Sequence, residues 1–506
     1  MASFSIPLTG LNADSTALNT IANDLSNMST TAFKAQTTNF SDLFYQQIGS
    51  TGAGDPIQVG AGTQVANTDT DFSVGTPNST GVDSDVALQG NGFFVVSDGG
   101  NQYLTRAGDF QTDSNGNLIT SNGMSVMGYP AMNGVVNTSA TLTPINIPVG
   151  KAEAPSASTN FGMTAVLDSS AAVGSSISGY APVYDSLGSE YQATVTYTKT
   201  GTNEWSYNIS MPETLTPSTN TAGGTTTINY TFGSGETIDP TTNLTITGPN
   251  STTGVSTTIT APTFTTGESL TDYANALTGL LGPAGINATV TVTGNQLQIS
   301  GAGISTSGSV IADPAASANS IGTLTFDSNG NLVSPATNVS GITFSGLSDG
   351  AAPMNMTWDL FGTNGTGNVT QVDETSAVSN YTGDGYPSGT YEGFSIGSDG
   401  TVTASFSNGQ KLNVGQLALG NVANLQGLED MGNGDYATTL ASGTASVGTS
   451  GTAGLGTMEG GALEASNVNI SAEFSDLIVA QRAFEANAKS VTTFDTVTQD
   501  TINMVH

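Results

Sequence analysis

Across 506 residues the chain carries 40 acidic residues against 7 basic ones, a formal net charge of −33, and no cysteine. Charge of that sign repels phosphate backbones and anionic headgroups, and the cations (Lys34, Arg106, Lys151, Lys199, Lys411, Arg482, Lys489) stand singly, which argues against nucleic-acid binding. Without cysteine there are no disulfides, thiolate zinc sites or cysteine nucleophiles.

Residues 1–48 read as helical. Phe4, Leu11, Leu18 and Leu25 are seven apart, with Leu8, Ile21 and Met28 filling the same face. The pattern breaks at Ser29–Thr31 and resumes through Phe33, Phe40, Leu43, Phe44 and Ile48. Residues 49–63 form a Gly-rich extended connector containing Gly49, Gly52, Gly54, Gly60 and Gly62. From Gln64 the texture is β, and Val86 to Val96 reads as two strands around a Gly-Asn-Gly turn.

The hexamer Asp-Ser-Asn-Gly-Asn-Leu occurs at Asp113–Leu118 and again at Asp327–Leu332. Alternating Asp113, Asn115 and Asn117 resemble the opening of a calcium loop, but Leu118 stands where Gly is required and Met124 where a bidentate Glu should close it. Asn-Gly between apolar runs is a hairpin signal instead. Residues 151–356 are β and Thr/Ser-rich, as in Tyr191–Thr198. A helix at Thr271–Leu281, capped by Ser269 or Thr271, lies between strands at Leu244–Ile246 and Val290–Val292, a β-α-β sub-insertion at about 225–318. Strands return in 357–440, for example Thr401–Phe406 and Gly415–Gly420, and 441–461 is a second connector with Gly448, Gly451 and Gly454.

Leu463 to Val505 is the long segment without Gly or Pro. Ile470, Phe474, Leu477, Phe484, Val491, Ile502 and Val505 recur at helical spacing, and Ile470, Leu477, Phe484 and Val491 are seven apart. A helix of roughly 35 residues is about 50 Å long. Its stripe needs a partner, and the matching pattern lies at the other chain end, so the two ends are expected to form one coiled-coil-like unit. Gln481, Asp495 and Thr498 fall on or near this seam, and Asp14 and Ser15 interrupt the other. Polar seam positions suit packing among several neighbours in an assembly better than a tight two-stranded coil. An intramolecular hairpin of helices capping a β-domain is the alternative.

No catalytic, metal or cofactor constellation emerges. The single histidine is the terminal His506, and the acidic pairs Asp69/Asp71, Asp83/Asp85 and Asp373/Glu374 read as solvated loop groups, so the chain is not expected to be an enzyme. The first positive charge is Lys34, and polar residues interrupt the apolar ones before it, so no cleaved signal peptide is expected.

Ala22-Asn-Asp-Leu-Ser-Asn27, Thr31-Ala-Phe-Lys34 and Phe40-Ser-Asp-Leu43 resemble the N-terminal signature of bacterial flagellar rod and hook axial proteins. Leu463-Glu-Ala-Ser-Asn-Val468, Ala480-Gln-Arg482 and Asn487 resemble the C-terminal one. Asp85–Phe94, Leu104–Gly108 and Gly128–Pro130 are similar to the family's core β-domain. The signature residues are therefore Ala22, Asn23, Asn27, Phe33, Lys34, Leu463, Glu464, Ser466, Asn467, Gln481, Arg482 and Asn487. Two departures stand out: Asp24 where the family usually has Asn, and Ala32 where Gly usually precedes Phe-Lys. The long insertion resembles hook-type members, and Tyr184-Asp-Ser-Leu-Gly188 with Asn203-Glu-Trp205 looks like their middle domain.

The resemblance implies a nested, mainly β protein with long terminal helices. Residues 1–48 plus 462–506 would be the helical assembly domain, 64–150 plus 357–440 the core β-domain, and 151–356 the outer β-domain. Leu11, Leu18, Ile21, Leu25, Met28, Ile470, Phe474, Leu477, Phe484 and Val491 would form the assembly seam, with the connector glycines as a hinge. It further implies a helical homopolymer outside the cell that passes motor torque from rod to filament as a flexible joint. Implied partners are rod proteins, hook-filament junction proteins, the hook cap and the type III export apparatus. Arg482 beside Glu485 would pair with a neighbouring carboxylate or form a simple surface pair. Competing readings are a distal rod protein, a secreted β-rich adhesin and an acidic hydrolase.

Overall fold

The computed structural model describes residues 5–52, 54–233, 237–238, 243–262, 269–313, 315–316, 321–362 and 365–504. Phe4, Val505 and His506 lie outside them. Its helices are α1 (Ser5–Ser26), α2 (Leu270–Leu281) and α3 (Ile470–Met504), and the remaining ordered elements are mostly strands. The chain divides into two compact units, residues 1–151 with 390–506, and residues 152–389.

In the first unit, α3 starts where the Asn469 side chain accepts from Ser471 N at 3.1 Å and Ala472 N at 3.3 Å, a cap for otherwise unpaired amides. It then runs without a breaker to Met504. α1 stops at Ser26, earlier than the sequence pattern suggests. Asn27 folds back, its Nδ2 donating to Asn23 O at 3.0 Å, and Ala32 takes a left-handed φ of 55°. A non-glycine residue there costs about 1–2 kcal/mol, which explains why glycine suits this position. The helix expected through residue 48 is corrected: the chain continues as strands β1 (Gln36–Asp42) and β2 (Gln46–Ser50). Thr37, Thr38 and Phe40 favour a strand over a helix.

Both glycine-rich connectors also differ from expectation. β2 pairs with β3 (Pro56–Val59), and β1 with β4 (Thr63–Thr70), so 49–63 belongs to hairpins. Residues 446–448 pair with 419–421, and 457–460 with 86–89, which buries Leu455 and Met458 in the core. Small residues in these stretches serve tight turns and close packing rather than a free linker.

The main sheet of this unit centres on Ser125–Met132, antiparallel to Phe93–Ser97 and Lys411–Leu417. The run Phe93–Val96 is apolar throughout because both faces are covered. Phe94 and Val96 join Val86, Phe110, Val126 and Leu417 on one side, while Phe93 and Val95 meet Leu104, Met127 and Tyr436 on the other. The strands Val86–Gln89 and Phe93–Ser97 flank the Gly-Asn-Gly turn as expected but pair with other partners. Asp113–Leu118 is a hairpin, with Asp113 Oδ1 accepting from Asn115 N and Asn117 N, each at 2.8 Å.

The second unit packs two sheets around Phe161, Tyr197, Trp205, Phe344 and Trp358. Asn160–Asp168 pairs with Met354–Asp359 and Val369–Val372 in parallel and with Ala377–Gly383 in antiparallel. These pairings keep 357–389 in this unit, so the boundary expected at 356 moves to 389. The inserted module forms a separate core, where Tyr273, Leu277 and Leu281 of α2 meet Ile228, Ile246 and Leu297 from the strands. Ser269 caps α2 with a reciprocal bond to Asp272.

Candidate functional site: the paired chain ends

Asn487 identifies how the helices of the first unit meet. Its Nδ2 donates to Asp14 Oδ2 at 2.8 Å, and a Cβ at Gly10 would lie 2.7 Å from the same nitrogen. Glu473, two heptads earlier, feels the charge of Asp24, so the helices run antiparallel. Leu11, Leu18, Ile21 and Leu25 are half-buried or partly exposed along the pair, as are Leu477, Phe484 and Val491. Met28, Ile470 and Phe474 are exposed, and no residue of α3 is fully buried. The ten expected seam residues therefore divide between partly covered and open positions.

Open apolar surface is extensive. Ile478, Val479, Val497 and Ile502 are exposed along α3, and Ile6 and Leu8 along α1. The β2–β3 hairpin adds Ile48, Ile57 and Val59, next to Phe44 at 95% exposure. A groove of about 270 Å³ lies between α1, β1 and α3, with Ala17, Ile21, Phe40, Val479 and Ala483 on its walls. Asp14, Glu473 and Asp476 give it an acidic rim.

At the root of the helices the two chain ends are locked to the β-domain. Lys34 Nζ lies 2.6 Å from Glu464 Oε1, and Arg106 Nε lies 2.9 Å from Glu464 Oε2; all three side chains are buried. One carboxylate cannot balance two cations, and backbone oxygens take the excess. Lys34 also donates to Ser73 O at 2.7 Å, and Arg106 to Gly90 O and Gly92 O at 2.8 Å and to Leu88 O at 3.1 Å. Gly75 N gives Glu464 Oε1 a further bond at 2.8 Å. Burial pushes the Lys34 ammonium below its ordinary pKa, while Glu464 opposes that shift.

Asn467 completes the clamp. Its Oδ1 accepts from Ala35 N at 2.8 Å and its Nδ2 donates to Asp71 O at 2.8 Å, while Ala32 N donates to Glu464 O at 2.8 Å. Asp24 Oδ2 accepts from Gln36 N at 2.8 Å, and Asp24 Oδ1 is buried without a donor. Burial raises the Asp24 pKa despite the Gln36 bond.

Lys34, Glu464, Asn467 and Asn487 thus sit at contacts between the chain ends. Phe33 joins them through its carbonyl, which accepts from Asn467 N at 3.3 Å. Leu463 pairs with Asn78, and Ser466 Oγ accepts from Val468 N at 3.3 Å. Asn23 and Asn27 bond each other, whereas Ala22, Gln481 and Arg482 take no part in the clamp. Arg482 makes neither of the ion pairs among the described residues. Sequence reasoning gave Arg106 no role; the available signal was a lone cation inside a motif of a charge-poor chain.

The fold and site define a β-rich, nested protein whose two ends return together as an anchored helix pair. Residues 459–504 match the family model for the flagellar basal body rod FlgEFG protein C-terminal region, and residues 87–161 that for the flagellar hook protein FlgE/F/G D1 domain. Residues 176–279 and 286–386 match the flagellar basal body protein FlaE D2 domain. Flagellar hook protein FlgE of Treponema pallidum is 29% identical, covering 98% of both chains. That of Salmonella typhimurium is also 29% identical, covering 99% of this chain and 100% of that one. A crystal structure of Helicobacter pylori flagellar hook protein FlgE2 aligns with a TM-score of 0.36 and 13% identity, over 76% of this chain and 99% of that one. The chain belongs to the flagellar hook and rod protein family.

Proposed function

We infer that the chain is a structural subunit of the bacterial flagellar hook, polymerising into a flexible helical tube that carries torque from rod to filament. The full-length similarity to hook proteins carries this reading, because it includes the long middle region as well as the chain ends. The open apolar surface on α1, α3 and the β2–β3 hairpin supports assembly, since surface of this kind is stable when another subunit covers it. Contacts of one surface patch with a different patch on the next copy propagate a helix instead of closing a ring.

In this reading the seam divides its work. Leu11, Leu18, Ile21, Leu25, Leu477, Phe484 and Val491 join α1 to α3, and exposed Met28, Ile470 and Phe474 face neighbouring subunits. The role is structural and not catalytic. Rod proteins, junction proteins and a hook cap would contact the polymer, and the type III apparatus would export the chain to the hook outside the cell. Electron microscopy of the purified full chain over time tests assembly: tubular polymers are expected, and a chain that stays monomeric on concentration contradicts the reading.

A further inference from the structure

In the second unit, the motif Tyr184-Asp-Ser-Leu-Gly188 joins strands Ser176–Tyr184 and Glu190–Gly201. Asp185 is fully buried there. Its Oδ1 accepts from Leu187 N at 2.8 Å and Ser189 N at 2.9 Å, which closes the turn. Its Oδ2 is buried without a donor. Ser189 points its hydroxyl to a second carboxylate, donating to Asp349 Oδ2 at 2.9 Å, and Asp349 Oδ1 accepts from Ala351 N at 2.9 Å. Two carboxylates meet at one serine.

Further acidic groups line the cleft beside them. Glu213 faces the same cleft, its Oε1 accepting from Ser348 Oγ and its Oε2 buried without a donor. Glu190 also lines the cleft and accepts from the Tyr184 hydroxyl at 3.4 Å. Burial, Glu213, Asp349 and Asp185 all raise the Tyr191 phenol, which stays neutral. Neither ion pair among the described residues is here, and no trio of acidic or histidine side chains among them converges as a metal cage.

A buried carboxylate oxygen facing a second carboxylate is costly unless a proton lies between them. We propose that Asp185 and Asp349 share one proton, with the Asp185 acid donating to Asp349 and latching the 185–189 turn to the 347–351 loop. Burial and Asp349 raise the Asp185 pKa. Burial opposes the opposite shift of Asp349, but its bonds with Asp185, Ala351 and Ser189 outweigh burial and lower it. Because the folded Asp185 value lies above the unfolded one, its stabilisation is full below the unfolded value and is lost as pH rises through the folded one. The Asp349 contribution has the opposite sign and is lost only in stronger acid.

Trp205 and Trp358 are the chain's two tryptophans and both are buried in this unit, so their emission reports its unfolding selectively. Thermal unfolding of the full chain, followed by this signal, should shift up by at least about 2 °C between about pH 8 and about pH 5. Asp185→Asn keeps the turn bonds and offers an amide donor to Asp349. It should reduce that slope, leaving the share of Asp359, whose pKa burial and Asp384 also raise, and melt no lower than the parent at about pH 8. Asp349→Asn removes the facing charge and should flatten the slope as well. A carboxylic-acid C=O infrared band that persists in the parent to higher pH than those of the exposed carboxyls, and is lost in Asp185→Asn, is the direct signature. A slope unchanged in both variants, or no such band, overturns the shared proton. So does a melting temperature raised by calcium chloride in the parent and not in Asp185→Asn, which would assign the orphan oxygen to a cation.

Discussion

Lys34 and Glu464 form a buried ion pair 2.6 Å long across 430 residues of sequence. Arg106 holds the other oxygen of the same carboxylate, so the chain's two ends and its β-domain meet at one side chain. A mechanical load on either helix therefore reaches the β-sheet through charged hydrogen bonds as well as through the backbone.

Removing Glu464 should be severe. Glu464→Ala leaves the Lys34 and Arg106 charges buried without their counter-ion, and breaking such a group costs about 3–5 kcal/mol. Chemical denaturation followed by far-ultraviolet circular dichroism should show early loss of the first unit, while tryptophan emission from the second unit keeps its midpoint. A variant with an unchanged first transition would contradict the clamp.

Exposed and half-buried apolar positions of α3 should separate assembly from folding. Phe474→Asp and Val479→Asp change exposed positions, so stability should move by no more than about 0.5 kcal/mol while polymer formation is lost. Phe484→Asp changes a half-buried position of α3 and, on the proposed division of the seam, should weaken both the α1–α3 pair and the polymer. Sedimentation of polymer together with thermal melts distinguishes the cases; tubes of normal yield from Phe474→Asp would remove it from the interface.

Asp24 should make the first unit lose stability as pH rises above the ordinary carboxylate range. Burial raises its pKa in the folded state, and burial followed by Asp24 and Asp476 raises that of Glu473. Groups raised in this way stabilise most below their unfolded values, and the contribution is lost as pH rises through the folded ones. Asp24→Asn can retain the bond from Gln36 N through its amide oxygen and removes the buried charge. Its first-unit melting temperature should exceed the parent's by about 2–4 °C near neutral pH, a gap that closes in acid. An unchanged pH profile would show that Asp24 does not control this response.

Two glycines test packing against hinge behaviour. Gly62 has a φ of 112°, and a Cβ there would collide with Thr9 Oγ1; Gly54 has a φ of 91° with open space around it. Both changes to alanine carry backbone strain, and Gly62→Ala also forces Thr9 away. Gly62→Ala should cost about 1–3 kcal/mol, and Gly54→Ala less. Equal losses in urea unfolding would argue that the α1 contact is unimportant.

Helical periodicity made α3 legible because a run without breakers, with apolar residues every third and fourth position, has few other ways to cover them. The same reasoning found α2, both Asp-Ser-Asn-Gly-Asn-Leu hairpins and the nested order of units. It failed between Phe33 and Ile48, where aromatic spacing matched a helix but the Asn27 turn and left-handed Ala32 redirect the chain into strands.

The sequence alone determined the mainly β class, the sticky terminal stripes and the charge signs at Lys34, Arg106 and Glu464. Only tertiary structure decided that those three charges share one buried site, that 441–461 packs into the core through Leu455 and Met458, and that Asp185 faces Asp349. Periodicity records which face of an element must be covered, whereas pairings across hundreds of residues depend on which surfaces close-pack after the chain has folded.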